Sequence, residues 1–236
     1  MAYSKRSLRK ATQKSEKRSG SSTIYWLVGA GVVMVGLIVF AVMLNSGATA
    51  GPIEQPDLPA EWLNGMSMGN PDAPITVEAY EDFLCPHCRE WTETVKQNIF
   101  TEYIQTGDVR FEFHPFPLEG FAPGSRMAAQ AAYCAEDQGY FWPYHDRLFA
   151  AQGRGQAGYM IEELLQYAND MGLDSRAFSQ CMSALAHQDD ILQTSQEGVS
   201  RGVTGTPSIF VNGQNVSSDY GTVKAEIDRL LAATGQ

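Results

Sequence analysis

From Ile24 to Leu44 the chain runs twenty-one residues without a charge, IYWLVGAGVVMVGLIVFAVML. As a helix this run would span ~31 Å against a hydrocarbon core of ~30 Å, which predicts one membrane-crossing helix. Beyond it the pattern changes character. Residues 45–67 mix Gly, Pro, Ala and acids without periodicity and read as a linker, with the folded domain expected at 68–236. Ile75–Tyr80 is a short β-prone run, and after Cys85-Pro86-His87-Cys88 a helix is expected to continue through about Tyr103, with Trp91, Val95, Ile99 and Phe100 at helical spacing. Asp108–His114 alternates Val109, Phe111 and Phe113 inward as a second strand.

Helical sequence then dominates. Ser125–Asp137, Phe141–Ala151, Ile161–Met171 and Ser175–Leu185 are separated by Gly or Pro punctuation, and a further helix covers His187–Gly202. Ser208–Val211 is β-prone, Asn212-Gly213 is a hairpin turn signal, and Thr222–Ala233 places Val223, Ile227, Leu230 and Leu231 on one helical face. The order predicts an α/β fold: a small mixed sheet interrupted by a helical insertion at about residues 120–190, preceded by the membrane helix.

Charge orients this arrangement. Residues 1–20 hold seven basic side chains and one acid, for +6, while the rest holds 10 basic and 26 acidic residues, for −16. The basic N-terminus, residues 1–23, should stay cytoplasmic by the positive-inside rule, which sends the domain to the outer side, periplasmic or extracellular. Tyr25 and Trp26 stand at the leading edge of the span, where aromatic rings favour the headgroup layer. The competing reading is a signal peptide cleaved after Ala48-Thr49-Ala50, but the apolar run exceeds the usual length of such a core. Either outcome exports the domain. So acidic a body should repel phosphate backbones, which excludes nucleic acid as a partner.

The chemistry concentrates at Cys85-Pro86-His87-Cys88, where a strand ends and a helix begins. Unpaired N–H groups and the positive end of the helix dipole favour a thiolate at Cys85, while two intervening residues let Cys88 close a small reducible ring. Pro86 fits the first helical position, and His87 can add donor or cationic character. A pKa of ~3.5, as in the strongly oxidising member of this motif class, would favour the dithiol by ~4.8 kcal/mol, or ~100 mV. A zinc site would need four ligands, and Cys134 and Cys181 stand alone instead of forming a second CxxC. An inert disulfide across the motif is the other alternative. His114 is expected as a turn or packing residue, His145 and His187 lack a second ligand at useful spacing, and Phe83, Trp91, Phe141 and Trp142 are expected in the core.

Several segments in order resemble the DsbA-like thiol-disulfide oxidoreductases: Gly69–Pro74, Glu81–Cys88, Phe141–Phe149, Gly202–Pro207 and Val211–Gly213, over roughly residues 66–235. The resemblance implies a thioredoxin fold with an inserted helical domain. It implies Cys85 as the attacking or mixed-disulfide sulfur, Cys88 as the resolving one, and Thr206-Pro207 as a cis peptide facing the site and binding substrate backbone. One departure stands out. Many members carry a buried acid six residues before the first cysteine, where this chain has Ala79. Either a strand irregularity brings Glu78 inward or this proton relay is absent; Glu81 and Asp82 lie nearby, and Asp82 agrees with the family pattern. Cys134 and Cys181 fall in two different helices of the insertion; an exported protein favours a disulfide between them, as do related sequences, with free buried thiols or a second redox relay as alternatives.

The expected function is a membrane-anchored oxidase that donates the Cys85-Cys88 disulfide to exported cysteine-containing proteins. A DsbB- or VKOR-type membrane protein would reoxidise it. No metal or organic cofactor is called for, and a monomer is expected because residues 45–67 hold no evident dimerisation domain. The alternatives are an isomerase or reductase running the same exchange, and a non-catalytic peptide-binding or chaperone module.

Overall fold

The computed structural model describes Met34 and residues 54–234. The chain divides into two compact units, Met1–Thr49 and Ala50–Gln236, and the fold described below belongs to the second. Among the described residues no helix is long and apolar enough to cross a membrane; the span expected at 24–44 lies outside them except for Met34.

Strands β1 (Leu63–Asn64), β2 (Ser67–Met68) and β3 (Ile75–Glu81) lead into helix α1, which occupies residues 86–104. Its α-helical turns alternate with two π-helical ones, Thr92–Lys96 and Phe100–Ile104. Strand β4 (Val109–Pro115) follows, then α2 (Gly124–Glu136), α3 (Phe141–Ala150), a 3-10 segment (Ala151–Tyr159), α4 (Ile161–Asp170) and α5 (Ser175–Ala184). Helix α6 (Gln188–Ser200) returns the chain to β5 (Ser208–Val211), β6 (Gln214–Val216) and α7 (Tyr220–Thr234). The sheet order is β1-β2-β4-β3-β5-β6, with β3 and β4 parallel and the other pairs antiparallel. This is a thioredoxin-like α/β fold whose helical insertion, α2 to α5, enters between β4 and α6.

The alternation in β4 does what its sequence requires. Val109, Phe111 and Phe113 are buried, and Phe111 and Phe113 stack against Trp91, Trp142, Phe83 and Phe141. The core thereby joins the sheet, α1 and the insertion in one cluster. On the other face Tyr80, Phe116, Val203 and Phe210 form a smaller cluster beneath α6. Helix α6 approaches so closely that a Cβ at Gly198 would stand 3.0 Å from the Phe116 and Tyr80 rings. The Asn212-Gly213 turn has both residues at positive φ, 45° and 79°, as a tight hairpin demands.

The N-terminal boundary differs from expectation. Leu63, Asn64 and Ser67, which composition assigns to the linker, pair with Met68 in β1 and β2 and extend the sheet along β4. Met68 is buried in the core, and strands two residues long carry no alternation to reveal them.

Candidate active site

Strand β3 ends at Glu81, and residues 82–85 turn the chain into α1. The buried Asp82 carboxylate holds this turn: it accepts from the Leu84 N–H, the Leu118 N–H and the Ser125 hydroxyl, each at 2.7 Å. Gln152 donates to the carbonyls of Phe83 (2.8 Å) and Cys85 (2.9 Å), and the Tyr159 hydroxyl, with one hydrogen, lies between the carbonyls of Leu148 (2.8 Å) and Phe83 (3.0 Å). Two residues from the insertion therefore clamp the loop that presents the cysteines.

Cys85 caps α1 with extended backbone angles (φ −74°, ψ 119°), and Pro86 occupies the first turn, where a missing N–H costs nothing. Both thiols are reduced, and Cys85 is 5% exposed while Cys88 is fully buried. The Cys85 Sγ lies 3.4 Å from the Thr206 carbonyl oxygen, and the Thr206-Pro207 bond is cis. The Asp82 N–H points to Cys88 Sγ at 3.4 Å. His87 is exposed at the mouth, its Nδ1 3.8 Å from Glu90. Cys85, Cys88, Pro86, His87, Thr206 and Pro207 thus converge on one point of the fold.

The two sulfurs are electrostatically unequal. A hydrogen bond from the Cys88 thiol, aided by Thr206 and the N–H groups of Cys88 and His87, outweighs burial and lowers the Cys85 pKa from 9.0 to about 5. Burial drives the Cys88 thiol strongly upward, reinforced by the Cys85 hydrogen bond and by the charges of Glu81 and Cys85. One sulfur is an anion at neutral pH and the other keeps its proton.

Glu81 is a second buried acid of this site, beside Asp82. Its side chain is 0% exposed, Oε2 accepts from the Thr92 hydroxyl at 3.2 Å, and Oε1 has no partner among the described residues. Burial raises its pKa to about 8, against the opposing pull of Lys96 and Thr92. Lys96, itself 7% exposed, lies 3.7 Å from Asp146. Cys88, Thr92 and Lys96 recur every four residues and share one face of α1. The expectation for Glu78 is corrected: β3 pairs with β4 residue for residue, so no irregularity turns Glu78 inward. It sits on the opposite face of the sheet in a two-pronged ion pair with Arg201, which lowers its pKa to about 2 even against the larger opposing effect of burial. The inward acid is two positions further along the same alternation that buries Ile75, Val77 and Ala79.

Cys134 and Cys181 form a disulfide joining α2 to α5, with Cα atoms 5.8 Å apart. His145 is fully buried among Phe83, Phe113 and Phe149, and burial lowers its pKa to about 4. His187 bridges Asp137 and Asp190, while His114 stacks on Tyr80 between Glu78 and Glu112.

Residues 62–229 match the family model described as thioredoxin. A probable disulfide bond formation protein D of Bacillus cereus is 30% identical over 168 residues, covering 70% of this chain and 78% of that protein. The chain belongs to the DsbA-like thiol-disulfide oxidoreductases. A second DsbA-like relative, the probable disulfide bond formation protein D of Bacillus anthracis, is 28% identical and covers 85% of this chain and 91% of its own length. The crystal structure of oxidised BdbD from Bacillus subtilis superposes with a TM-score of 0.64 at 25% identity, over 72% of this chain and 94% of that one. For a DsbA-like enzyme, sequence reasoning notes Glu81 near the motif without singling it out, and misses Gln152 and Tyr159. Strand alternation carries a signal for Glu81; nothing local marks the other two, whose partners in the active loop lie 67 to 76 residues away.

Proposed function

We propose that this oxidoreductase works as an oxidase, transferring the Cys85-Cys88 disulfide to cysteine-containing proteins outside the cytoplasm while held to the membrane by residues 24–44. The inequality of the two thiols carries this reading. A substrate thiolate attacks Cys85 Sγ, the S–S bond breaks, and Cys88 leaves and takes up a proton, for which the protonated Glu81 carboxyl is the buried source. A second substrate thiolate then attacks the substrate sulfur of the mixed disulfide and expels Cys85 as a stable thiolate. Two electrons pass from substrate to enzyme, one disulfide forms and one is lost. Thr206-Pro207 would align the substrate backbone beside Cys85.

Reoxidation returns the two electrons to a DsbB- or VKOR-type membrane protein, and the anchor raises the effective concentration of that encounter. The enzyme acts as a monomer in this scheme. A Cys85 pKa of about 5 favours the dithiol by ~2.7 kcal/mol at pH 7, or ~60 mV above a pair whose thiol titrates near 7. The equilibrium potential against glutathione tests the direction. A value of about −210 mV or higher supports oxidation, whereas one near −270 mV assigns a reductant. Thiol trapping of Cys88→Ala in cells, with fractionation and N-terminal sequencing, checks clients and anchor together. Mixed disulfides with cytosolic proteins alone would overturn the placement.

A further inference from the structure

Beside the reactive sulfur lies a cavity of about 490 Å³, within the ~300–1,000 Å³ range of ligand pockets. The start of α1 contributes His87, Glu90 and Thr94; Thr206 and Pro207 contribute a second wall, and Ser217, Ser218 and Asp219 a third. Thr206 ties the cavity to the chemistry, because its carbonyl oxygen stands 3.4 Å from Cys85 Sγ. A peptide whose cysteine reaches Cys85 along Thr206-Pro207 therefore passes this opening. At ~3.3 Å per residue of extended chain, the positions one and two from that cysteine fall within ~7 Å of it.

The lining has one sign of fixed charge. No lysine or arginine contributes to it, and its carboxylates are Glu90 and Asp219. Glu90 is exposed, with His87 Nδ1 3.8 Å from its carboxylate. Asp219 accepts from the Thr222 N–H at 2.9 Å, and hydrogen bonds from Thr222 and then Ser217 hold its carboxyl below the usual range. It stays ionised with no cationic partner among the described residues. Trp91 and Val95 add apolar surface to the lining, and Trp91 is 3% exposed.

We infer that this cavity selects substrate cysteines flanked within two residues by lysine or arginine, with Glu90 and Asp219 as the specificity-determining carboxylates. The selectivity rests on the thiol exchange at Cys85 proposed above and names its substrate class. A cationic side chain meets two carboxylates there, whereas an acidic one meets repulsion from both.

The test uses oxidised full-length protein and three model dithiol peptides that differ only in having Lys, Ala or Glu next to the first cysteine. Single-turnover thiol loss is followed at low and high salt, for the natural protein and for Glu90→Gln combined with Asp219→Asn; asparagine keeps the cap of α7. In the natural protein at low salt the Lys peptide should react about tenfold faster than the Glu peptide. That ratio should fall to about twofold or less in high salt and in the double variant, while the Ala peptide changes by less than about twofold. A ratio that survives the double variant would assign the preference to the net charge of the whole domain and overturn the inference. Equal rates for all three peptides, or a fastest Ala peptide, would overturn it too and leave the oxidase standing. If even the Ala peptide is not oxidised, the oxidase reading falls and takes this selectivity with it.

Discussion

Two active-site side chains with opposite electrostatic histories pull the pH behaviour of the reduced enzyme in opposite directions. Cys85 has its pKa lowered from 9.0 to about 5, so it contributes stability that grows as pH rises from 5 toward 9 and is lost as pH falls through 5. Glu81 has its pKa raised from 4.5 to about 8, so its contribution is full below 4.5 and declines as pH climbs toward 8. Each slope is ~1.4 kcal/mol per pH unit, and the two oppose each other between pH 5 and 8. These two contributions nearly cancel over this window, which leaves the slope of urea-denaturation stability there to the histidines, His145 with its pKa lowered to about 4 among them. Relative to the natural protein, Glu81→Gln should add a rise of ~1.4 kcal/mol per pH unit between pH 5 and 8; an unchanged profile would remove Glu81 from the account. Thiolate absorbance in the natural protein should titrate with a midpoint of about 5, and Cys85→Ser should abolish that transition. Glu81→Gln should also slow release of Cys88 by roughly tenfold or more near pH 7, with partial recovery in Glu81→Asp, as read by stopped-flow thiol exchange.

Elements position these side chains through contacts that cross long stretches of chain. Asp82 joins the end of β3 to the segment after β4 and to α2 through two hydrogen bonds, and a third, from the Leu84 N–H, holds its own turn. Removing it leaves buried donors without acceptors. Asp82→Ala should cost roughly 3 kcal/mol in denaturant unfolding, against little change for an exposed acid such as Glu93. The elements themselves were largely legible: β4 by its two-residue alternation, α1 by the Trp91 and Ile99 face, and the hairpin by Asn212-Gly213. Two features were not. Strands β1 and β2 are too short to show a period, and Glu81 is concealed when an acid is sought at a set distance before Cys85. Counting alternate positions from Ile75 reaches Glu81, and counting fours from Cys88 reaches Thr92 and Lys96. Side-chain partners such as Gln152 leave no such trace, because their hydrogen bonds go to backbone carbonyls of another element.

At the scale of the whole molecule, the insertion is pinned to itself by Cys134-Cys181, which closes a separation of 47 residues. In the chain-entropy model such a loop contributes about 4 kcal/mol. Replacing both cysteines by alanine should lower thermal stability accordingly while leaving peptide oxidation by Cys85 within about twofold. A comparable loss of exchange chemistry would instead make this pair part of the redox path.

By itself the sequence determined the order of elements, the CPHC pair at a strand-to-helix junction, and the asymmetry of charge between the N-terminus and the rest. These are local quantities: periodicity, turn chemistry and composition within a few residues. Only the tertiary structure decided which acid is buried, which insertion residues clamp the active loop, and how far the two sulfurs differ. Each of those depends on desolvation and on partners brought from distant segments, and neither exists until the chain has closed around its core.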